Sequence, residues 1–182
     1  MTKIRYFFDE ERARQAAVYL LREEVGGAMA AEKVNKLLYL ADRSSLAEDG
    51  RPITGDRYLA EENGPVLEQI RSRLTDGSWE EWIGKDELGH LQAKGDGSFD
   101  LLSEFDKIQL RVLATQWRSQ DWREISEFTH GLDEWNTHER QSGEISPEAI
   151  LRATIEGISD ETLEALANSA EMDRGLRDQA VA

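Results

Sequence analysis

The feature that most restricts this chain is an ordered block, Lys36-Leu-Leu-Tyr-Leu-Ala-Asp42, Gly50-Arg-Pro-Ile-Thr54, Asp56-Arg-Tyr58 and Asn63-Gly-Pro-Val66. Val34, Leu37, Leu38 and Ala41 recur at helical spacing, which predicts an amphipathic helix over about 30–47. Glu48 to Pro52 ends it. Residues 53–62 are too short and too punctuated for a helix, so Arg57 to Ala60 reads as a brief strand. Asn63-Gly64 then turns the chain, and Pro65 suits the first position of a following helix, where its missing N–H is not needed.

Helices are predicted on either side of this block. Asp9 precedes Ala13, Ala16, Ala17, Leu20, Leu21 and Val25, with Gly26-Gly27 as the stop. Between Ser78 and Phe99 the pattern suits a small β-hairpin or meander, with Gly95-Asp96-Gly97 as a turn. Ser103 and Asp106 form a capping box for a helix whose apolar stripe reads as Ile108, Val112 and Leu113, toward Trp117. Asp121 to His130 is a short helix ended by Gly131, and 132–141 reads as a polar loop carrying Trp135. Ser146-Pro147-Glu148 and Ser159-Asp160-Glu161 each open a further helix. From Met172 onward apolar periodicity fades, which suggests fraying or binding. The expected fold is mainly α (α+β), a compact helical domain over 1–145 with a small antiparallel β element and a C-terminal helical extension over 146–182.

Thirty-seven acidic against 22 basic residues give a net charge of −15. Such a field repels phosphate backbones, so direct nucleic-acid binding is not expected, while encounter with a basic protein is favoured. Cysteine is absent, which removes disulfides, thiolate ligands and a Cys nucleophile. Met1 to Asp9 reaches acidic residues too soon for a signal-peptide core, and no apolar run approaches membrane-spanning length. A soluble, cytoplasmic protein is expected.

Catalytic marks are sparse. Gly95-Asp96-Gly97 lacks the Lys-Ser/Thr of a phosphate loop. His130, Asp133, Glu134 and His138 lie close in sequence but match no ligand motif, and Gly131 interrupts their helix. A helix-end histidine bonding the backbone is the plainer reading of His130. Lys36 and Asp42, on nearly opposite sides of a helix, need separate partners, whereas Tyr39 and Arg43 can stack at i, i+4. Of five tryptophans, Trp135 is the one suited to docking a loop or a partner.

Taken together, these segments resemble the Panacea domain, the SocA-like antitoxin family. Leu102-Ser103, Ile125-Ser126 and Thr129-His130 with Trp135 resemble the second half of the family pattern, so the likeness runs from about Ala13 to Trp135. Glu62-Asn63 departs from it, standing where an aromatic or His is common before Gly-Pro. The resemblance implies an antitoxin of a two-gene toxin–antitoxin pair, of the kind carried by bacteria, prophages and plasmids, which neutralises its toxin by direct protein binding. It implies no enzyme activity, cofactor or metal. It also implies a cognate toxin encoded next to it, which the acidity suggests is basic. Homo-oligomers and toxin–antitoxin hetero-oligomers are both compatible. Lys36, Tyr39, Tyr58, Gly64, Pro65, His130 and Trp135 carry over as motif or partner-binding positions. Partner choice is expected from the region after Ser146 with the exposed side of Gly64-Pro65. The alternatives are an adaptor that delivers a partner to a protease and a hydrolase using His130 with an acid.

Overall fold

The computed structural model describes residues 3–23, 27–95, 97–138 and 143–181. It is 56% helical, with small antiparallel sheets, in agreement with the mainly α expectation. Asp9 accepts the Arg12 N–H at 3.0 Å and starts α1 (Glu10–Glu23). Val25, expected on its apolar face, and Gly26, expected with Gly27 to end it, lie outside the described residues. After β1 (Ala28–Met29) comes α2 (Ala31–Asp49), closed by Gly50 in the left-handed conformation. The β2 (Tyr58–Glu61) and β3 (Gly64–Leu67) hairpin leads directly into α3 (Glu68–Thr75).

A second hairpin, β4 (Ile83–Lys85) and β5 (Leu91–Ala93), pairs with β1 in the order β1-β5-β4. Its turn lies at 86–90, held by Asp86 accepting the N–H groups of Leu88 and His90. Gly95 and Gly97 therefore follow the hairpin and do not form its turn, and Asp96 lies outside the described residues. Then come α4 (Glu104–Gln116), α5 (Trp122–His130), α6 (Asp133–His138), β6 (Glu144–Ile145), α7 (Pro147–Thr154) and α8 (Asp160–Val181). The caps at Ser103, Asp121 and Ser146 form as their sequences dictate.

The core is organised around α2. Every residue from Lys33 to Asp42 is buried, because α1, α3, α4, α5, α7 and β3 all touch this helix. A helix enclosed on all sides is a core element, not the amphipathic surface helix its spacing suggests. β6 extends the first hairpin in the order β3-β2-β6 through Tyr58 opposite Ile145. α7 brings the fully buried Ile150 and Leu151 onto α2.

Three further expectations change. The buried face of α4 is Asp106, Leu110, Leu113 and Ala114, while Ile108 and Val112 are each 53% exposed. The choice between two overlapping apolar stripes is made by α1 and α2, which pack on the other one. Residues 133–138 form α6, not loop, because Leu132 accepts N–H groups from Trp135 and Asn136 and nucleates a turn. Helix α8 continues past Met172 to Val181, and its residues from Glu171 to Leu176 are all exposed. Leu110→Ala is therefore expected to cost about 2–5 kcal/mol in a urea titration, whereas Ile108→Ser and Val112→Ser each stay within about 1 kcal/mol of wild type.

Candidate functional site

The segment from Gly50 to Leu67 has a short ladder around β2 and a few isolated backbone bonds, such as the Asp9 N–H to the Thr54 carbonyl, and polar side chains of α2 satisfy further groups. Asn35 bonds Leu67 twice, donating to its carbonyl at 2.9 Å and accepting its N–H at 3.0 Å. Lys36 Nζ donates to the Asn63 carbonyl, and Ser45 Oγ to the Arg51 carbonyl at 2.7 Å. Asp42 accepts the Thr54 N–H at 2.9 Å, the Thr54 hydroxyl at 2.5 Å and the Tyr58 hydroxyl at 3.2 Å. Each turn of α2 thus fixes one stage of the incoming chain.

Asp56 performs the same service for α3. Its carboxylate accepts the N–H groups of Gln69 at 3.1 Å and Ile70 at 2.8 Å, capping from a distance a helix that lacks a side-chain cap of its own. Burial raises the pKa of both carboxyls, that of Asp42 to about 7 against the bonds it receives from Thr54 and Tyr58. The Tyr39 and Tyr58 hydroxyls are likewise pushed well up by burial, with Glu134 and Asp42 beside them.

At one corner the structure gathers Lys36, Gly64, His130 and Trp135. Gly64 has φ +98°, and a Cβ built there lies 2.5 Å from Thr129 Oγ1, 3.0 Å from Lys36 Nζ and 3.5 Å from His130 Cδ2. Only glycine fits both the backbone and the space. The His130 ring stacks on Trp135 with centroids 4.3 Å apart, and Trp135 Nε1 donates to the Glu61 carbonyl at 3.0 Å. Trp135 is thus buried against the hairpin, docking that loop. The expected backbone bond of His130 is replaced by stacking, since its buried Nε2 has no hydrogen-bond partner. Burial lowers the Lys36 pKa to about 8, and the field of Glu61 partly opposes that shift.

Pro65 sits inside β3 opposite Ala60, not at a helix start. An edge strand has one row of backbone groups without sheet partners, so the missing N–H is tolerated there. Tyr39 and Arg43 do not stack on each other. Both converge on buried Glu134 of α6, the Tyr39 hydroxyl at 2.9 Å and Arg43 Nε at 2.6 Å. Tyr39 also meets Tyr58 edge-on at 5.8 Å.

Among the described residues, His130, Asp133 and Glu134 of the proposed grouping are not gathered into a metal-holding set. Glu134 faces α2, Asp133 is exposed, and the His138 side chain lies outside the described residues. Among the described residues no group of three or more His, Cys, Asp or Glu is placed to hold a metal ion. Sequence reasoning missed Asn35, and it missed the tertiary roles of Thr54, named only as part of the ordered block, and of Glu134, weighed only as an acid beside His130. Their one visible signal is polarity inside otherwise apolar or turn-rich segments. Nearly all the motif positions are buried, so they form the frame that presents a surface.

A family model described as antitoxin SocA-like, Panacea domain, matches residues 34–136. No curated protein and no solved structure matches the chain. The matched span takes in most of α2, the first hairpin, α5 and the start of α6.

Two outcomes follow from this geometry. Gly64→Ala should destabilise the fold by at least about 2 kcal/mol, read from urea denaturation, through both its positive φ and the contact with Thr129. Asp42 is raised from 3.8 to about 7 in the folded chain, so the folded state binds its proton more tightly than the unfolded one. Its contribution is complete below pH 3.8 and is lost as pH rises toward 7. The wild-type minus Asp42→Asn difference in stability should therefore fall with pH across that window, by up to about 1.4 kcal/mol per pH unit.

Proposed function

Because the chain belongs to the SocA-like antitoxin family with its Panacea domain, we propose that it neutralises a cognate protein toxin by direct, non-catalytic binding in the cytoplasm. The observation that carries this reading is the family match, which spans the elements that build the polar frame around α2. The toxin is a basic protein encoded beside this chain, in a gene pair of the kind prophages and plasmids carry. A net charge of −15 supports that choice, since opposite charge accelerates encounter and repels acidic competitors.

The buried motif block favours a division of labour. Lys36, Tyr39, Tyr58, Gly64 and Trp135 hold the frame, and exposed side chains outside it meet the toxin. Among the described residues no helix is long and apolar enough to cross a membrane.

The test is co-expression with the product of the neighbouring gene. That product should arrest growth alone and lose its toxicity with this chain, and the two should co-purify at low salt and separate as salt rises. Equal toxicity with and without the chain would remove the antitoxin reading.

A further inference from the structure

Helix α8 has two unlike halves. Leu163, Ala167 and Ala170 are buried against the body, and Leu166 lies over Gly50. From Glu171 to Leu176 every residue is exposed. Met172 and Leu176, one turn apart, are 70% and 65% exposed. A helical stretch whose side chains all face water gains little from its own propensity, because short isolated helices are marginal. A covering partner supplies what the body does not.

The outer face identifies the kind of cover. At 100° per residue, Ala165, Met172 and Leu176 fall on the side opposite Leu163, Ala167 and Ala170. Glu161 lies on that strip, and Glu164 and Glu171 form one edge of it. Over residues 160–181 the sequence has six acidic and two basic residues. Two copies of this face would set their glutamates against each other, so self-association is opposed by like charge. An apolar strip with an acidic edge fits an apolar groove with a basic rim.

We propose that the outer face of α8, centred on Met172 and Leu176, is the toxin-docking element and inserts into an apolar groove of the toxin whose edges carry Lys and Arg. This rests on the antitoxin reading above and locates its contact surface. It also refines the expectation that the region after Ser146, with the exposed side of Gly64-Pro65, chooses the partner, since Gly64 and Pro65 are both buried. α7 belongs to the core through Ile150 and Leu151, whereas α8 carries the exposed Met172 and Leu176. The face is not interchangeable with the exposed apolar pair Ile108 and Val112, whose neighbours Glu104, Lys107 and Arg111 are net positive.

The experiment compares binding of the full chain and its variants to the purified product of the neighbouring gene. Met172→Glu/Leu176→Glu should keep the wild-type circular dichroism and melting temperature while weakening binding at least about 30-fold. Met172→Ala/Leu176→Ala, which preserves helix propensity, should weaken it about tenfold. Ile108→Glu/Val112→Glu should bind like wild type. Glu161→Gln/Glu164→Gln/Glu171→Gln should slow association at low salt and lose that difference at high salt.

Binding of both α8 double variants within about threefold of wild type would overturn the docking face and leave the antitoxin reading standing. Failure of the wild-type chain itself to bind would overturn both. A wild-type dimer that Met172→Glu/Leu176→Glu converts to monomer in sedimentation would assign the face to a second copy and likewise overturn the proposal.

Discussion

The structure depends on burying polar side chains along one helix. α2 lies at the centre of the fold, where an apolar helix would be simplest, yet it carries Asn35, Lys36, Asp42 and Ser45 into the interior. Each satisfies a backbone or hydroxyl group of the segment between Gly50 and Leu67. That segment is short of ladder bonds, so without α2 its N–H and C=O groups would be buried unpaired, at about 1–3 kcal/mol each. The two parts are therefore mutually required. α2 needs acceptors and donors for its polar groups, and the segment needs α2 to have a defined path.

This arrangement has a charge cost that the fold distributes. Asp42 is enclosed with three donors and no cation in contact, and Lys36 is enclosed with a carbonyl from the hairpin. Both are shifted toward their neutral forms, Asp42 upward and Lys36 downward, by burial. Arg43 and Glu134 form a better-matched pair, joined by Tyr39, and tie α6 to α2. Through Trp135 the same short helix also holds the hairpin tip, so α6 closes the frame on two sides.

Much of this was legible in the chain. The caps at Ser103, Asp121 and Ser146 formed because their determinants lie within four residues of one another. What was not legible depended on which surfaces meet. Apolar spacing alone could not choose between the Ile108–Val112 stripe and the Leu110–Leu113 stripe of α4, and packing on α1 and α2 chose the second. Pro65 fits a helix start or an edge strand equally well in isolation, and pairing with Ala60 decided for the strand. The Tyr39–Arg43 spacing suggested a local stack, whereas a carboxylate from residue 134, distant in sequence, took both side chains. For the site, the ordered block marked the right positions, and burial revealed that most of them serve the frame.

A buried frame with its contacts carried elsewhere gives a direct physical signature. Hydrogen–deuterium exchange, recorded with and without the product of the neighbouring gene, reads both regions in one measurement. New protection is expected over 171–176, the exposed stretch of α8 that carries Met172 and Leu176, with little change over 33–42, which is already enclosed. New protection confined to the 61–67 hairpin and the α5–α6 corner, with α8 unchanged, would contradict this division and make the motif residues themselves the interface.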